Sequence, residues 1–482
     1  MKTASNQTAV SRMLLWALAA LMVARLISLA LYPLMDTTEA RYGDIARRMV
    51  ERSDWVTPWF AEDQPFWGKP PLSFWATALG FKLFGINEFA GRLPHLILGL
   101  LVGAMTWVCA RRQSARAAWH AVALLSASML FVVASGAVMT DMSLALGTTL
   151  VMVGFWIAMR DSAGKTWPWQ LLMALGFIIG LLAKGPLALV LCGVPIGVWL
   201  IWQRRALDAW RRIAWLRIVL LVLVFSLPWY VMAEFRTPGF LNYFLVGEHW
   251  QRFVTAGWTG DKYGAAHAFP RGGIWLFAFA ALAPWPFLLT PLAFILHRKS
   301  DSFSSDKVND GERLYLLLWG LWPCVFFTLS GNILWTYVLP GLPALAILVA
   351  LWTSKQSGKA TEWVLTGGVW ICTATIVVCV ALANSGDYSD RKSAKSLMMD
   401  YRTQAQVGEP LFYLGELPFS ASFYSGGRGQ RLNNLAELDA RQPGASALVA
   451  MSLEQQATLP EGSRVRLKEV SRRGAMLLMR WR

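Results

Sequence analysis

The sequence predicts an α-helical polytopic membrane protein that carries a small α/β domain at its C-terminal end. Of its 482 residues, 55% are hydrophobic and only 15% are charged, whereas a soluble domain usually carries about 25% charged residues. The chain also contains 26 Trp residues, and Trp concentrates at membrane–water interfaces. This composition excludes an ordinary cytoplasmic enzyme, and the high apolar content excludes a disordered chain.

Each membrane span needs roughly 20 apolar residues, because the hydrocarbon core of a bilayer is about 30 Å thick. We expect about eleven transmembrane helices, with thirteen as the upper count. The predicted spans are residues 13–35, 94–110, 117–138, 141–159, 167–183, 187–202, 213–233, 273–296, 313–329, 338–352 and 363–383.

The distribution of basic residues predicts the orientation. The net charge is +16, from 45 Lys and Arg against 29 Asp and Glu. If the N-terminus lies inside, the inner segments and their span edges hold 18 of the 45 basic residues, while the short outer turns near Asp141 and at 330–337 hold none. Cytoplasmic loops are enriched in Lys and Arg. We therefore expect a cytoplasmic N-terminus and an outer C-terminus, and we need no nucleic-acid partner to explain the charge.

Three longer segments then lie outside the membrane. Residues 36–93 form a first loop rich in charged and aromatic residues, with room for interfacial helices, and residues 234–272 form a second loop. The tail, residues 385–482, mixes short apolar runs with charged residues and is long enough to fold as one unit. We expect a transmembrane domain over 1–384 and an α/β domain over 385–482.

The first loop opens with acidic residues directly after a span. Asp36, Glu39, Arg41 and Tyr42 fall in a stretch with helical spacing. A capped amphipathic interfacial helix explains these residues, and composition alone favours that interpretation. Carboxylates at the point where a chain leaves the bilayer are also costly to desolvate, which makes Asp36 and Glu39 candidate general bases or ligands.

Lys69 lies in the segment Pro65-Phe-Trp-Gly-Lys-Pro-Pro71. Two prolines restrict the chain just after this lysine, and Trp residues flank it. A lysine fixed at the interface suits a lipid phosphate as a point charge. A lysine that extends to the membrane edge to keep its ammonium group in water is the alternative, and the residues alone favour neither.

Two further polar positions lie at the outer ends of neighbouring spans. Asp141 and Lys184 are each explained by a helix cap or a structural ion pair, but their common depth also allows a shared polar cavity. Tyr337, in an outer turn, is explained by an interface anchor.

The second loop contains Gly247-Glu-His-Trp-Gln-Arg252. Glu248 and Arg252 have the i, i+4 spacing of a surface ion pair on a helix. His249 next to one glutamate is weak evidence for a metal site.

In their order along the chain, these segments resemble the ArnT-type branch of the GT-C membrane glycosyltransferases, relatives of the protein O-mannosyltransferases. The similarity covers most of residues 13–350 and is strongest from Glu39-Ala-Arg-Tyr to Asn87-Glu-Phe-Ala-Gly-Arg-Leu-Pro94. The resemblance implies an enzyme of the bacterial inner membrane with a periplasmic active site and C-terminal domain. Such an enzyme transfers 4-amino-4-deoxy-L-arabinose from undecaprenyl phosphate to a lipid A phosphate of lipopolysaccharide, which gives polymyxin resistance.

The match to the family pattern has two departures. Glu39, Arg41 and Tyr42 fit the family's Asp-Glu-x-Arg-Tyr, but Thr38 stands at the position of the Asp, and Asp36 is the nearest substitute. Gly68 stands where the family commonly has Glu before Lys-Pro. These departures leave the sugar, the acceptor and any metal requirement open.

The resemblance implies a role for each candidate. We expect Asp36, Glu39 and, in second place, Asp141 to be catalytic; Arg41, Lys69 and Arg252 to bind the donor phosphate; and Tyr42, Lys184, Glu248, His249 and Tyr337 to bind substrate. If a divalent metal takes part, His249 is the candidate ligand, and no other cofactor is expected. The expected partners are an undecaprenyl phosphate-linked sugar, lipid A or another lipid acceptor, and the membrane.

Two other functions stay open. A related enzyme would move a different sugar, such as a hexosamine, or use a glycan or protein acceptor. A lipid-linked-sugar transporter would be expected to carry paired half-sequences and polar sites at the membrane midplane. The sequence shows no such duplication, and its polar candidates concentrate at one face, which favours a transferase.

Overall fold

The computed structural model of the chain describes residues 11–161, 165–264, 267–298, 310–356, 358–441 and 446–481. The helices of the membrane part are α1 (Arg12–Leu31), α2 (Thr38–Arg52), α3 (Leu72–Phe84), α4 (Glu88–Arg111), α5 (Ala115–Ser126), α6 (Met129–Ala134), α7 (Asp141–Arg160), α8 (Trp167–Lys184), α9 (Leu187–Trp202), α10 (Ala206–Arg212), α11 (Trp215–Arg236), α12 (Phe240–Asn242), α13 (Arg252–Val254), α14 (Ile274–Ala281), α15 (Trp285–Arg298), α16 (Asp310–Thr328), α17 (Leu342–Thr353) and α18 (Lys359–Ala383). A π-helix spans Tyr243–Gln251 and a 3₁₀-helix spans Trp335–Gly341.

The predicted multi-pass α-helical fold is confirmed. Within the described residues, seven helical segments are long and apolar enough to cross a membrane, and an eighth is added if α14 and α15 form one span that bends by 77°. The bend falls near Pro284, which cannot donate a helical hydrogen bond. Each of the eleven predicted spans falls on helical structure, but four do not form one span-length apolar helix. The segment 117–138 is divided between α5 and α6, and 273–296 is divided between α14 and α15. Helix α9 has only 16 residues, and α16 carries Asp310, Glu312 and Arg313 in its first turn.

Helix α7 lies at the centre of the bundle, and every residue from Met142 to Met159 is buried. It packs very closely on the antiparallel helix α8. A Cβ atom added at Gly147 would lie 2.7 Å from the backbone nitrogen of Gly180, so only glycine allows this approach. Small residues at the contact are typical of tightly packed membrane helices. The packing brings the first residue of α7, Asp141, beside the last residue of α8, Lys184.

The tail folds around a sheet, as the sequence predicts. Its elements are α19 (Gly386–Lys392), α20 (Lys395–Gln404), β1 (Leu411–Leu414), α21 (Phe419–Ser425), β2 (Gly429–Leu432), α22 (Ala436–Arg441), β3 (Ala447–Ser452), α23 (Leu453–Thr458), α24 (Glu461–Val465), β4 (Leu467–Arg473) and β5 (Met476–Trp481). The strand order is β2-β1-β3-β5-β4. Strand β1 is parallel to β2 and β3, whereas β5 is antiparallel to β3 and β4. The domain boundary at 385 remains a prediction.

Candidate active site

The acid Glu39 is paired with a buried arginine of the bundle. Its Oε1 and Oε2 accept hydrogen bonds from Arg92 Nε at 3.0 Å and Nη2 at 2.8 Å. Arg92 is fully buried and also donates to the carbonyl oxygens of Leu29, Tyr32 and Pro33 at the end of α1. A bidentate pair of this kind fixes geometry as well as charge. Glu39 therefore ties the start of α2 to α1 and α4.

Asp36 contacts the C-terminal region rather than the bundle. Its Oδ1 accepts a hydrogen bond from the backbone N–H of Ser420 at 3.0 Å, and its Oδ2 accepts one from the Ser420 hydroxyl. Burial raises the pKa of the Asp36 carboxyl, and the bonds from Ser420 offset only part of that effect. Both oxygens of Asp36 thus hold the start of α21.

Lys69, Glu248 and Arg252 form one ion-pair network. Lys69 Nζ lies 2.8 Å from Glu248 Oε2, and Arg252 Nη1 lies 3.2 Å and 3.1 Å from the two oxygens of Glu248. Arg252 Nη1 also lies 3.3 Å from Oδ2 of Asp261. The predicted i, i+4 pair of Glu248 and Arg252 is therefore present, on the π-helix and the α13 turn that follows it.

The charge state of this network follows from its contacts. Burial raises the pKa of Glu248, but the adjacent ammonium of Lys69 and guanidinium of Arg252 outweigh that effect and lower it. Burial lowers the pKa of Arg252, but Glu248 outweighs that effect and raises it. Glu248 and Arg252 are therefore both charged at neutral pH. Gly68 has no side-chain carboxylate, so the carboxylate beside Lys69 comes from Glu248.

A second ion pair joins Asp141 and Lys184. Lys184 Nζ lies 2.7 Å from Asp141 Oδ1, and the ammonium lies 5.4 Å from the centre of the Tyr337 ring. Tyr337 therefore lies beside this ion pair.

His249, next to Glu248 in the chain, contacts the backbone of Lys184, a member of the second ion pair. Its Nδ1 lies 2.7 Å from the carbonyl oxygen of Phe244, and its Nε2 lies 3.0 Å from that of Lys184. Burial lowers the pKa of His249, and the two carbonyl contacts oppose that shift. The C-terminal end of α8 lies close to His249 because the next residue is a glycine. Gly185 has a φ of +68°, and a Cβ atom there would lie 3.4 Å from His249 Cε1.

The donor set around His249 does not fit a divalent cation. Both ring nitrogens face backbone carbonyl oxygens, and the carboxylate of Glu248 is held by two cations. Across the described ranges there is no group of three or more His, Cys, Asp and Glu side chains that could hold a metal ion.

Arg41 lies beside the aromatic residues of the first loop. Its Nη1 donates to the carbonyl oxygen of Tyr263 at 2.6 Å, and its guanidinium lies 5.1 Å from the centre of the Tyr42 ring. Among the described residues, Nε of Arg41 and Nε of Arg252 are buried and have no hydrogen-bond partner. A buried donor without a partner costs about 1–3 kcal/mol. These two donors are therefore available to an anionic ligand.

Several contacts of the site were not predicted. Arg92 lies just before the predicted span 94–110, and only the observed start of α4 at Glu88 makes it part of that helix, where an arginine requires a partner. Asp261, Tyr263 and Ser420 had no signal in the sequence, because their roles depend on contacts between distant segments. The hydroxyl of Tyr263 donates to Pro65 O at 2.7 Å and accepts from the N–H of Trp67 at 2.9 Å, which fixes the segment before Lys69.

Comparison with known proteins gives sequence and structural relatives. The model of the dolichyl-phosphate-mannose-protein mannosyltransferase family matches residues 10–244. The chain is 31% identical over 396 residues to undecaprenyl phosphate-alpha-4-amino-4-deoxy-L-arabinose arabinosyl transferase 1 of Pseudomonas fluorescens, covering 78% of this chain and 64% of that protein. It is 33% identical over 342 residues to the corresponding transferase of Erwinia tasmaniensis, covering 70% and 58%. The chain thus spans about three fifths of the length of these relatives.

The fold is similar to that of ArnT from Cupriavidus metallidurans, whose crystal structure is described as bound to undecaprenyl phosphate. The TM-score is 0.76, the sequence identity is 21%, and the alignment covers 97% of both chains. The apo structure of the same protein gives a TM-score of 0.77 with the same coverage.

Proposed function

The resemblance to the ArnT-type GT-C transferases is confirmed in sequence and in fold, and from that premise we propose that the chain is an integral-membrane glycosyltransferase. Its donor is an aminosugar, 4-amino-4-deoxy-L-arabinose, carried on undecaprenyl phosphate. Its acceptor is a lipid A phosphate. The protein lies in the bacterial inner membrane, with the site and the C-terminal region on the periplasmic side.

The observation that carries this proposal is the set of cations at the outer end of the bundle. Arg41, Lys69 and Arg252 come from separate segments, and the two arginines each keep one buried N–H without a partner among the described residues. Arginine and lysine are the side chains that bind phosphate groups. A polyprenyl phosphate carries its anionic group at the membrane surface, and in this proposal these three side chains bind it there.

The reaction in this proposal is a single displacement at the anomeric carbon of the donor sugar. An acceptor oxygen forms a bond to that carbon while the bond from the carbon to the donor phosphate oxygen breaks, and the phosphate leaves with the electron pair. Negative charge grows on the phosphate as the bond breaks. Arg41, Lys69 and Arg252 stabilise that charge, which is a main source of electrostatic catalysis.

The state of the acids favours an acceptor that is already ionised. Glu39, Asp141, Glu248 and Asp261 are each in an ion pair, and both oxygens of Asp36 accept hydrogen bonds from Ser420. A hydroxyl acceptor would need a general base to take its proton. A phosphate acceptor is ionised at neutral pH and needs none. In this proposal Asp36 and Glu39 position the site rather than transfer a proton.

The proposal is tested by mass spectrometry of lipid A and of total glycolipids from bacteria with and without the protein. We expect an aminoarabinose-bearing lipid A only when the protein is present. A new glycolipid or glycoprotein together with unchanged lipid A would assign a different acceptor. Unchanged products in every fraction, with the protein present in the membrane, would contradict a transferase.

A further inference from the structure

Helix α21 of the C-terminal region lies against the helix that carries Arg41. Its aromatic residues Phe419, Phe423 and Tyr424 join the cluster that contains Tyr42 and Tyr263. Helix α21 is therefore part of the aromatic packing around the candidate active site, although α2 ends at Arg52 and α21 begins only at Phe419.

Polar contacts fix the position of α21 on α2. Ser420 binds both oxygens of Asp36, and the hydroxyl of Ser422 donates to Asp44 Oδ2 at 2.9 Å. Arg48 Nη2 donates to the same Ser422 hydroxyl at 3.1 Å. Asp36 and Asp44 thus hold α21 at two points, one before and one within α2.

Phe419 is the residue of α21 that reaches Arg41. Its ring centre lies 5.8 Å from the Arg41 guanidinium carbon and 5.4 Å from the centre of the Phe60 ring. Arg41 therefore has the Tyr42 ring and the Phe419 ring as neighbours, while its Nη1 is held by the Tyr263 carbonyl. A cation near two aromatic rings is stabilised by the ring quadrupoles, and the contacts together restrict the guanidinium.

We infer that Phe419 is a positioning residue for Arg41, and that the C-terminal region thereby completes the part of the site that binds the donor phosphate. This inference rests on the proposed function. Phe419 does not itself offer a group that binds phosphate. It acts by holding the guanidinium so that the unpartnered Nε stays available to the anion.

The test compares two leucine substitutions in the full-length protein in lipid nanodiscs. Phe419→Leu removes the ring beside Arg41. Phe412→Leu is the matched control, because Phe412 is a buried residue of β1 in the separate core of the sheet. We expect Phe419→Leu to raise the KM for the lipid-linked donor and the Kd for undecaprenyl phosphate about fivefold, the scale of one cation–ring contact. Phe412→Leu lowers thermal stability but leaves both constants unchanged.

Two further variants show whether Phe419 acts through Arg41. Phe419→Tyr keeps a ring and should restore the wild-type KM. In an Arg41→Ala background, Phe419→Leu should add no further effect. Equal constants for Phe419→Leu and wild type, or an equal rise in both leucine variants, would overturn the inference. If wild-type protein neither binds undecaprenyl phosphate nor transfers sugar, the proposed function fails, and the inference fails with it.

Discussion

Lys69 and Glu248 are separated by 179 residues of sequence, yet Lys69 Nζ lies 2.8 Å from Glu248 Oε2. This contact joins the loop between α2 and α3 to the π-helix and places one carboxylate between two cations. Only 3% of the Glu248 side chain is exposed, so its charge depends on Lys69 and Arg252 rather than on water. The contact is the structural centre of the proposed phosphate-binding site.

Replacement of Glu248 by glutamine tests whether this carboxylate stabilises the fold. Removing one partner of a buried ion pair leaves the other uncompensated and costs about 3–5 kcal/mol. We expect Glu248→Gln to lower the free energy of unfolding on that scale, measured by denaturant titration in detergent. Asp208→Asn is the control, because Asp208 pairs with Arg212 and the two side chains are 34% and 37% exposed, and an exposed pair contributes about 0–1 kcal/mol. Equal effects of the two substitutions would contradict the account.

Replacement of Asp36 by asparagine tests the ionised acceptor. Asparagine keeps one acceptor oxygen for Ser420 but cannot take a proton from a hydroxyl. If the acceptor is a phosphate, the rate of sugar transfer should fall less than about tenfold. The loss of a general base would cost about 100- to 10,000-fold. A loss of that size in a variant with a wild-type melting temperature would show that Asp36 acts as the general base. The same assay on Asp141→Asn tests Asp141 as a general base.

The pH dependence of stability tests the burial of His249. Burial lowers the pKa of His249 below its ordinary value of 6.5, although two carbonyl contacts oppose the shift. The folded state therefore binds this proton less tightly than the unfolded state. Stability from this residue is present above about pH 6.5 and is lost as the pH falls through the lowered pKa.

We expect the thermal midpoint of the wild-type protein to fall between pH 7.5 and pH 5, and His249→Gln to fall less over the same range. Burial also lowers the pKa of His267. Because both proteins contain His267, the difference between their thermal midpoints isolates the contribution of His249. Parallel curves for the two proteins would show that His249 titrates normally.

Hydropathy predicted the fold well because each span must satisfy its own backbone hydrogen bonds in the membrane. It failed where the chain bends inside an apolar stretch. The predicted span 117–138 is interrupted between α5 and α6, where the Ser128 hydroxyl donates to the carbonyl oxygen of Leu124 at 2.7 Å. Average hydropathy is insensitive to such a break, and it is also insensitive to the 77° bend between α14 and α15.

The candidate site was predicted in its members but not in its pairings. Glu248 and Arg252 lie on neighbouring turns, so their contact follows from helical spacing. The pairing of Asp141 with Lys184 follows from their similar depth at the ends of neighbouring spans. The pairing of Lys69 with Glu248 and the contact of Asp36 with Ser420 join distant segments, and no local pattern encodes such distances. The roles assigned to all these residues remain predictions until they are measured.

In the proposed function, Lys69 binds the phosphate of a lipid-linked sugar donor. We would measure the rate of sugar transfer from undecaprenyl phosphate-linked aminoarabinose to lipid A by purified Lys69→Ala. Lys82→Ala is the control, because Lys82 is an exposed lysine of α3. We expect Lys69→Ala to lose at least about 100-fold in rate, the scale of one lost electrostatic contact to a developing anion, while both variants insert in the membrane normally. A folded Lys69→Ala variant that transfers sugar at the rate of Lys82→Ala would contradict the phosphate-binding role of Lys69.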